Sequence, residues 1–268
     1  MISLIPVVET QAGTCSRAQQ VHGRLLGLFI VMFCTYTAGE ALTEQGPPDI
    51  GRGKGTFGEQ VVTANALRAP AKAQNAVQNA ARAMAHNKPK EAEKQIAYAL
   101  DLYPDYAKAL VLHAIWKMPT EPSDSIKDLE RAIHVDPAYG VPYAVLASIY
   151  NDSQRYDDAL PLIQRAMQLL PFGWPVHYEM ARTLRGKNRI PEALREVTEA
   201  MRLMSADAAA DSDSRAAVRY LHGLLLIDQH EFATARLEFE LILKENPKGT
   251  AAERSTQILA QLDSHRAH

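Results

Sequence analysis

The sequence predicts an all-α protein assembled from about five stacked helix pairs. Three observations carry this: an aromatic-poor composition, columns of small residues recurring about every 34 positions, and a proline that closes nearly every repeat. Hydrophobic residues make up 47% of the 268-residue chain but aromatic ones only 7%. That balance suits closely approaching helices better than a sheet of bulky and β-branched side chains. Lys and Arg number 29 against 31 Asp and Glu, a formal net charge of -2, with no basic stretch. Nucleic acid, whose phosphates demand a basic surface, is therefore not the expected partner.

The repeat is read from its columns. Ala92, Ser125, Ala159, Ala193 and Ala235 step by 33, 34, 34 and 42 residues. Ala99, Ala132, Ala166, Ala200 and Ile242 follow with the same steps, and Pro104, Pro137, Pro171, Ser205 and Pro247 end the units. An upstream column comprises Ala80, Ala114, Ala147, Ala181 and Gly223. It lies 12 residues before the next column in every unit but the second, where Ala114 to Ser125 spans 11. One residue is therefore missing from the turn holding Pro119 and Pro122. The extra residues of the last step fall in polar Ala206–Ser214, read as an inter-repeat loop.

The columns have a mechanical meaning. A small residue on the first helix facing one on the second lets the two backbones approach, and larger residues a turn away fill the flanks. Ile96, Leu129, Ile163, Val197 and Phe239, each four residues after the small one, are that filling. Proline stops the second helix because it has no N–H to donate and disfavours helix in the residue before it. After Pro247, residues 250–262 place Ile258, Leu259 and Leu262 together, as a capping helix over the last unit requires.

The N-terminal part reads differently. Residues 1–41 form a leader whose apolar core, 25–37 (LLGLFIVMFCTYT), is entered by Arg24 and followed by Ala38, Gly39 and Ala41. This is the pattern of a secretory signal. Glu40 interrupts the run before the roughly 20 apolar residues that a membrane-spanning helix needs. Cleavage after Ala41 and export to the periplasm or the cell exterior are expected; an uncleaved leader anchored in the membrane by residues 25–39 is the alternative. The two cysteines, Cys15 and Cys34, both lie within the leader, so a mature chain carries no thiol. Residues 42–72, with Gly46-Pro47-Pro48 and the glycines at 51, 53 and 55, read as a flexible linker. A short helix is expected within it around Gly58 to Leu67, with Val61, Val62 and Leu67 as its weak apolar face.

The third unit places Tyr143, Leu146, Ala147, Tyr150, Tyr156, Ala159, Ile163, Ala166 and Pro171 in an order that resembles the tetratricopeptide repeat, a 34-residue helix-turn-helix. The fourth follows with Met180, Ala181, Leu184, Ile190, Ala193, Val197 and Ala200, and the fifth with Gly223, Leu226, Phe232, Ala235, Phe239 and Pro247. In the first two units Asn79, Ala83 and Lys117 replace bulkier apolar residues, and looser packing is expected there. The resemblance covers about residues 73–262. It implies a right-handed α-solenoid over 73–268, with units ending near 104, 137, 171, 205 and 247, and a concave groove that holds a peptide or protein partner. Carrying the helix phase over, the groove-lining candidates are Val111, Ile115, Ala144, Ser148, Asn151, Tyr178, Arg182, Arg185, Tyr220 and Leu224. Two Tyr and two Arg among apolar residues suit a partner with hydrophobic anchors and some acidic groups.

Catalysis has no support in the sequence. No two of the nine His stand four residues apart on one helix face in the manner of a metal pair, and no phosphate-binding glycine motif opens a helix. His113, His177 and His222, on the repeat's interior-facing columns, read as packing or solvent residues. The neighbouring acids Glu91 and Glu93, Asp157 and Asp158, and Glu238 and Glu240 diverge around their helices and read as solvated surface. No catalytic residue, metal or cofactor is expected. The expected function is a non-catalytic protein-binding scaffold; the alternatives are an architectural or self-assembling part of a cell-envelope complex and a membrane-anchored accessory protein.

Overall fold

Five helix pairs follow one another in chain order, each packed on the next. The computed structural model describes residues 63–207 and 210–266; the leader and the linker through residue 62 lie outside the described residues. A short α1 (Ala64–Arg68) precedes the pairs α2 (Ala71–Ala85) with α3 (Pro89–Leu102) and α4 (Ala107–Lys117) with α5 (Pro122–Val135). They are followed by α6 (Val141–Asp152) with α7 (Tyr156–Leu169), α8 (Trp174–Gly186) with α9 (Ile190–Ser205), and α10 (Ser212–Asp228) with α11 (Phe232–Glu245). A final α12 (Thr250–Arg266) caps the stack. No strand occurs among the described residues, and the architecture is a right-handed α-solenoid. First helices also touch first helices from α2 through α10, and so form a continuous inner layer.

The small-residue columns all face inward, at 0% exposure for Ala80, Ala114, Ala147 and Ala181 and for Ala92, Ser125, Ala159, Ala193 and Ala235. The filling residues Ile96, Leu129, Ile163, Val197 and Phe239 are buried beside them. Ser125 takes an alanine's place without an orphaned hydroxyl, because its Oγ donates to the Glu121 carbonyl at 3.2 Å. Gly223 is the one glycine in the first column, and Phe239 the one aromatic among the fillers. A Cβ at Gly223 would stand 2.7 Å from the Phe239 ring. The larger filler thus requires the smaller neighbour.

Helix ends follow local chemistry. Four second helices, α3, α5, α7 and α11, are each 14 residues long and stop two residues short of the column proline. The fourth unit has Ser205 in that column, and its α9 runs on to 16 residues. Between the helices of a pair, Asn87, Gln154, Asn188 and His230 adopt φ of 53°, 57°, 58° and 64°. Each lies seven residues after the first small column. The next N–H reaches back to the fifth residue before it at 2.8 Å, from Lys88 to Ala83, Arg155 to Tyr150, Arg189 to Leu184 and Glu231 to Leu226. This is the left-handed C-terminal cap of a helix. In unit 2 that residue is absent, and Glu121 N–H closes the turn on the Lys117 carbonyl at 2.7 Å. The deletion read from the spacing is the loss of the left-handed residue.

Two boundaries differ from expectation. The linker was expected to run to residue 72, yet α1 and the start of α2 are helical by then. Asn65 explains the order: its Nδ2 donates to the Asp105 carbonyl at 2.7 Å and its Oδ1 accepts from Ala107 N–H at 3.0 Å, which pins α1 to the start of α4. The polar loop expected over Ala206–Ser214 also gives up its last three residues to α10, because Asp211 caps that helix by accepting from Ser214 N–H at 2.7 Å. The loop is tied down at its start, where buried Trp174 Nε1 donates to Asp207 at 3.0 Å. Ala83 of the first unit lies inside the core, which runs unbroken from units 1 and 2 into unit 4.

Two outcomes follow from this packing. Gln154→Gly relieves a left-handed side chain and raises stability by about 1 kcal/mol in urea unfolding, whereas Glu121→Gly in the shortened turn brings no such gain. Gly223→Ala destabilises by about 1–3 kcal/mol through overpacking. Adding Phe239→Leu recovers most of that loss, which a double-mutant cycle measures.

Candidate functional site

The inner layer of first helices is an extended surface to which every unit contributes. Its central part is polar. In α6, Asn151 Nδ2 donates to Glu179 Oε2 at 2.9 Å and to the Glu179 carbonyl at 3.1 Å. Thr183 Oγ1 donates to Asn151 Oδ1 at 2.9 Å. Arg182 lies across the network: its Nη1 donates to both Glu179 oxygens at 3.0 and 3.1 Å, and its Nη2 to Asp152 at 2.5 Å. One unit further on, Arg185 Nε donates to Asp228 at 2.7 Å, which joins α8 to α10.

Burial sets the electrostatics. Glu179 is fully buried, and this burial holds its carboxyl above the ordinary range, despite the pull of Arg182 and Asn151 in the other direction. Burial on its own would lower Arg182, but the charges of Glu179 and Asp152 outweigh it and strengthen the guanidinium's hold on its proton. The Arg182 guanidinium lies 5.9 Å from the centroid of the Tyr178 ring. Desolvation pushes the Tyr178 hydroxyl up to about 12, so it remains a donor throughout the physiological range.

The ten candidates separate into two groups. Tyr178, Arg182, Arg185, Tyr220 and Leu224 are half-exposed on α8 and α10. Val111, Ile115, Ala144, Ser148 and Asn151 are buried, and as an open lining they are a correction. Val111, Ile115 and Ala144 belong to the core that joins units 1 to 4. Asn151 is held between α6 and α8 by its bonds to Glu179 and Thr183. The two Arg are also already engaged by Asp152, Glu179 and Asp228, so the acidic groups expected on a partner are supplied within the chain. The side chains of the set that stay partly exposed are Tyr178, Tyr220 and Leu224, which also pack against the core, with Tyr220 edge-on to Phe239 at 5.7 Å, between arginines already paired within the chain.

Sequence reasoning missed Glu179, Asp152, Thr183 and Asp228. A signal existed: Asp152 and Asp228 both lie five residues after the first small column, with Arg182 and Arg185 in the unit between them. The three packing histidines also have acid partners. His113 bonds Asp128 at 2.7 Å, His177 bonds Glu196 at 2.7 Å, and His222 bonds Glu238 at 3.2 Å. Each acid lies three residues after the second-helix small column. Glu238, expected as solvated surface, is instead half-buried between His222 and Arg219, whose Nη1 donates to it at 3.1 Å. His177 is special: its second nitrogen faces the Pro171 carbonyl at 3.1 Å. Both nitrogens thus face acceptors, which only the imidazolium satisfies. Among the described residues no group of His, Cys, Asp or Glu is arranged to hold a metal ion, and no helix is long and apolar enough to cross a membrane.

A stack of helix pairs with a left-handed residue in the turn, a proline at the unit's end and first helices lining an inner wall defines the tetratricopeptide repeat fold, and solved structures agree. TTC0263, a thermophilic TPR protein of Thermus thermophilus, is similar with a TM-score of 0.58 over 70% of this chain and 99% of its own, at 17% identity. A chain of the Cut9–Hcn1 hetero-tetramer of the APC/C gives 0.65 over 74% of this chain and 38% of its own, at 16% identity. PilF of Pseudomonas aeruginosa gives 0.55 over 73% and 88%, at 16% identity. No protein-family model matches the sequence, and no curated protein matches it.

The His177 pair has a pH signature. Burial lowers the imidazole's pKa, but the bonds to Glu196 and to the Pro171 carbonyl outweigh it and leave it above its ordinary 6.5. Its stabilisation is therefore complete below the ordinary histidine value and is lost as pH rises through the raised one. Urea midpoints measured from pH 6 to pH 8 fall for the parent chain, and His177→Gln reduces that fall.

Proposed function

We propose that this chain is a non-catalytic scaffold, exported to the periplasm or the cell exterior, that holds a peptide or protein partner on the inner wall of units 4 and 5. The observation that carries the reading is the half-exposed set Tyr178, Tyr220 and Leu224, presented on the neighbouring first helices α8 and α10. Aromatic side chains on a preformed surface bring large contact area at low entropic cost, which is how a few residues come to dominate binding. The partner chemistry that fits is a segment with apolar or aromatic anchors and little net charge, because the arginines of this wall are already neutralised. The assembly of one similar solenoid into a hetero-tetramer accords with a protein partner. The leader over 1–41 supports export.

A second reading, self-association, draws on Phe232 and Leu237, which are 44% and 58% exposed on α11 of the last unit. Light scattering of the purified chain decides it: a monomer at working concentration rules this reading out.

The binding reading is tested by cross-linking in the native envelope fraction, followed by calorimetry with a synthetic peptide from the partner so identified. Tyr178→Ala and Tyr220→Ala each weaken affinity by about tenfold or more, as loss of a buried aromatic anchor does; unchanged affinity in both moves the site off this wall. Arg182 is unsuitable for the test, since its removal leaves Glu179 buried and unpaired, at a cost of about 3–5 kcal/mol in folding. The same mass spectra show whether the mature chain begins at Leu42.

A further inference from the structure

The outward face of the second helices changes character in the last unit. Counted from the small residue of each second helix, the places one before, two after and six after it share one side of the helix. None of them is buried in any unit. The first place holds an acid in units 1 to 4, Glu91, Asp124, Asp158 and Glu192, but Thr234 in unit 5. The second holds Lys, Lys, Pro and Arg, then Leu237; the third holds Tyr, Arg, Arg and Glu, then Leu241. Helix α11 thus carries an uncharged stripe where the other four second helices carry charge. Folding gives no reason for it. Ala235, Phe239 and Ile242 bury the opposite side of α11, and Leu237 stays 58% exposed. The first turn also lacks the acid that would favour a helix N-terminus.

The charges at the two ends of the stripe answer one another. Glu231 stands just before α11, Lys244 in its last turn and Lys248 just beyond it. None of the three is in an ion pair among the described residues. A surface negative at one end and positive at the other complements its own copy turned end for end. Leu237 then meets the partner's Leu241, and Glu231 comes beside the partner's Lys244 and Lys248. Glu240, close to the two-fold axis, is already paired with Arg236 at 3.5 Å. Parallel pairing of two such helices would set like charges together. The other exposed apolar pair on a second helix, Tyr98 and Leu102 of α3, keeps Glu91 and Lys94 in its stripe and has no such uncharged run.

We propose that α11 is the interface of a two-fold homodimer, in which Thr234, Leu237 and Leu241 pack antiparallel against the same stripe of a second copy. This rests on the self-association reading and specifies its face. It is independent of the peptide-binding reading, because the inner wall belongs to the first helices and stays open. A dimer so formed carries two inner walls, and holds a partner with two matching segments more tightly than a monomer does.

The test uses the full chain carrying Cys15→Ser and Cys34→Ser. Sedimentation equilibrium is expected to give a dimer. Leu237→Glu raises the dissociation constant about tenfold or more, with helical circular dichroism unchanged because Leu237 is exposed. Tyr98→Glu leaves the dimer intact. A monomeric parent overturns the proposal together with the self-association reading. A dimer that survives Leu237→Glu, or that Tyr98→Glu dissociates, overturns the proposal alone. Orientation is read by oxidising an equal mixture of Leu237→Cys and Leu241→Cys chains. The mixed disulfide is expected to dominate; disulfides between like chains mean parallel packing and overturn the proposal. No readout involves Tyr178 or Tyr220, so the peptide-binding reading stands or falls separately.

Discussion

Each unit depends on two backbones being allowed to come close. Alanine, serine or glycine at the crossing point of a pair leaves no side chain to hold the helices apart, and the dispersion contacts of the flanking residues then act at short range. The constraint is one of volume, as the last unit shows. There Phe239 is accommodated because Gly223 has no Cβ, while the units with Ala in that column carry Ile, Leu or Val. A single pair built this way cannot cover its own apolar faces, so it stacks on the next, and α12 packs on the fifth pair.

Polar contacts take over where this apolar continuity thins. The buried apolar residues form one cluster through most of the chain and a second, smaller one around Leu226, Phe239 and Ala252. α10 contributes Val218, Leu221 and Leu225 to the first and Ala216 and Leu226 to the second; Arg185 and Asp228 join α10 to α8, while Asn151, Glu179 and Arg182 join α6 to α8. A buried carboxylate is costly unless it is paired. The Glu179 network therefore admits one arrangement of neighbouring first helices in place of a range of sliding ones. Histidine–carboxylate pairs act similarly within units 2, 4 and 5, fixing second helix to first.

The same division orders the inner wall. Its first half is apolar and closed, and its second half presents aromatic rings among charges already matched to one another. A wall of that kind discriminates by shape and apolar contact more than by net charge. In repeat folds generally, the ligand is chosen by such surface residues and not by the scaffold.

The helices, their pairing and even the missing turn residue were legible in the sequence, because each rests on local geometry. A small residue recurs at fixed spacing, a proline cannot continue a helix, and a left-handed position is either present or deleted. The second-helix lengths could likewise be read from Pro104 or Ser205. The binding surface was legible only in part. Helix phase put Val111, Ala144, Tyr178 and Tyr220 on one wall, but phase carries no information about what lies over that wall or which charge from another unit meets Arg182. Those contacts join residues about 30 to 43 positions apart, such as Asp152 with Arg182 and Arg185 with Asp228. The sequence by itself determined the repeat, because periodicity is a property of the chain. Only the tertiary structure decided which inner residues are open and which are spent on one another, because burial and charge pairing depend on how neighbouring units stack.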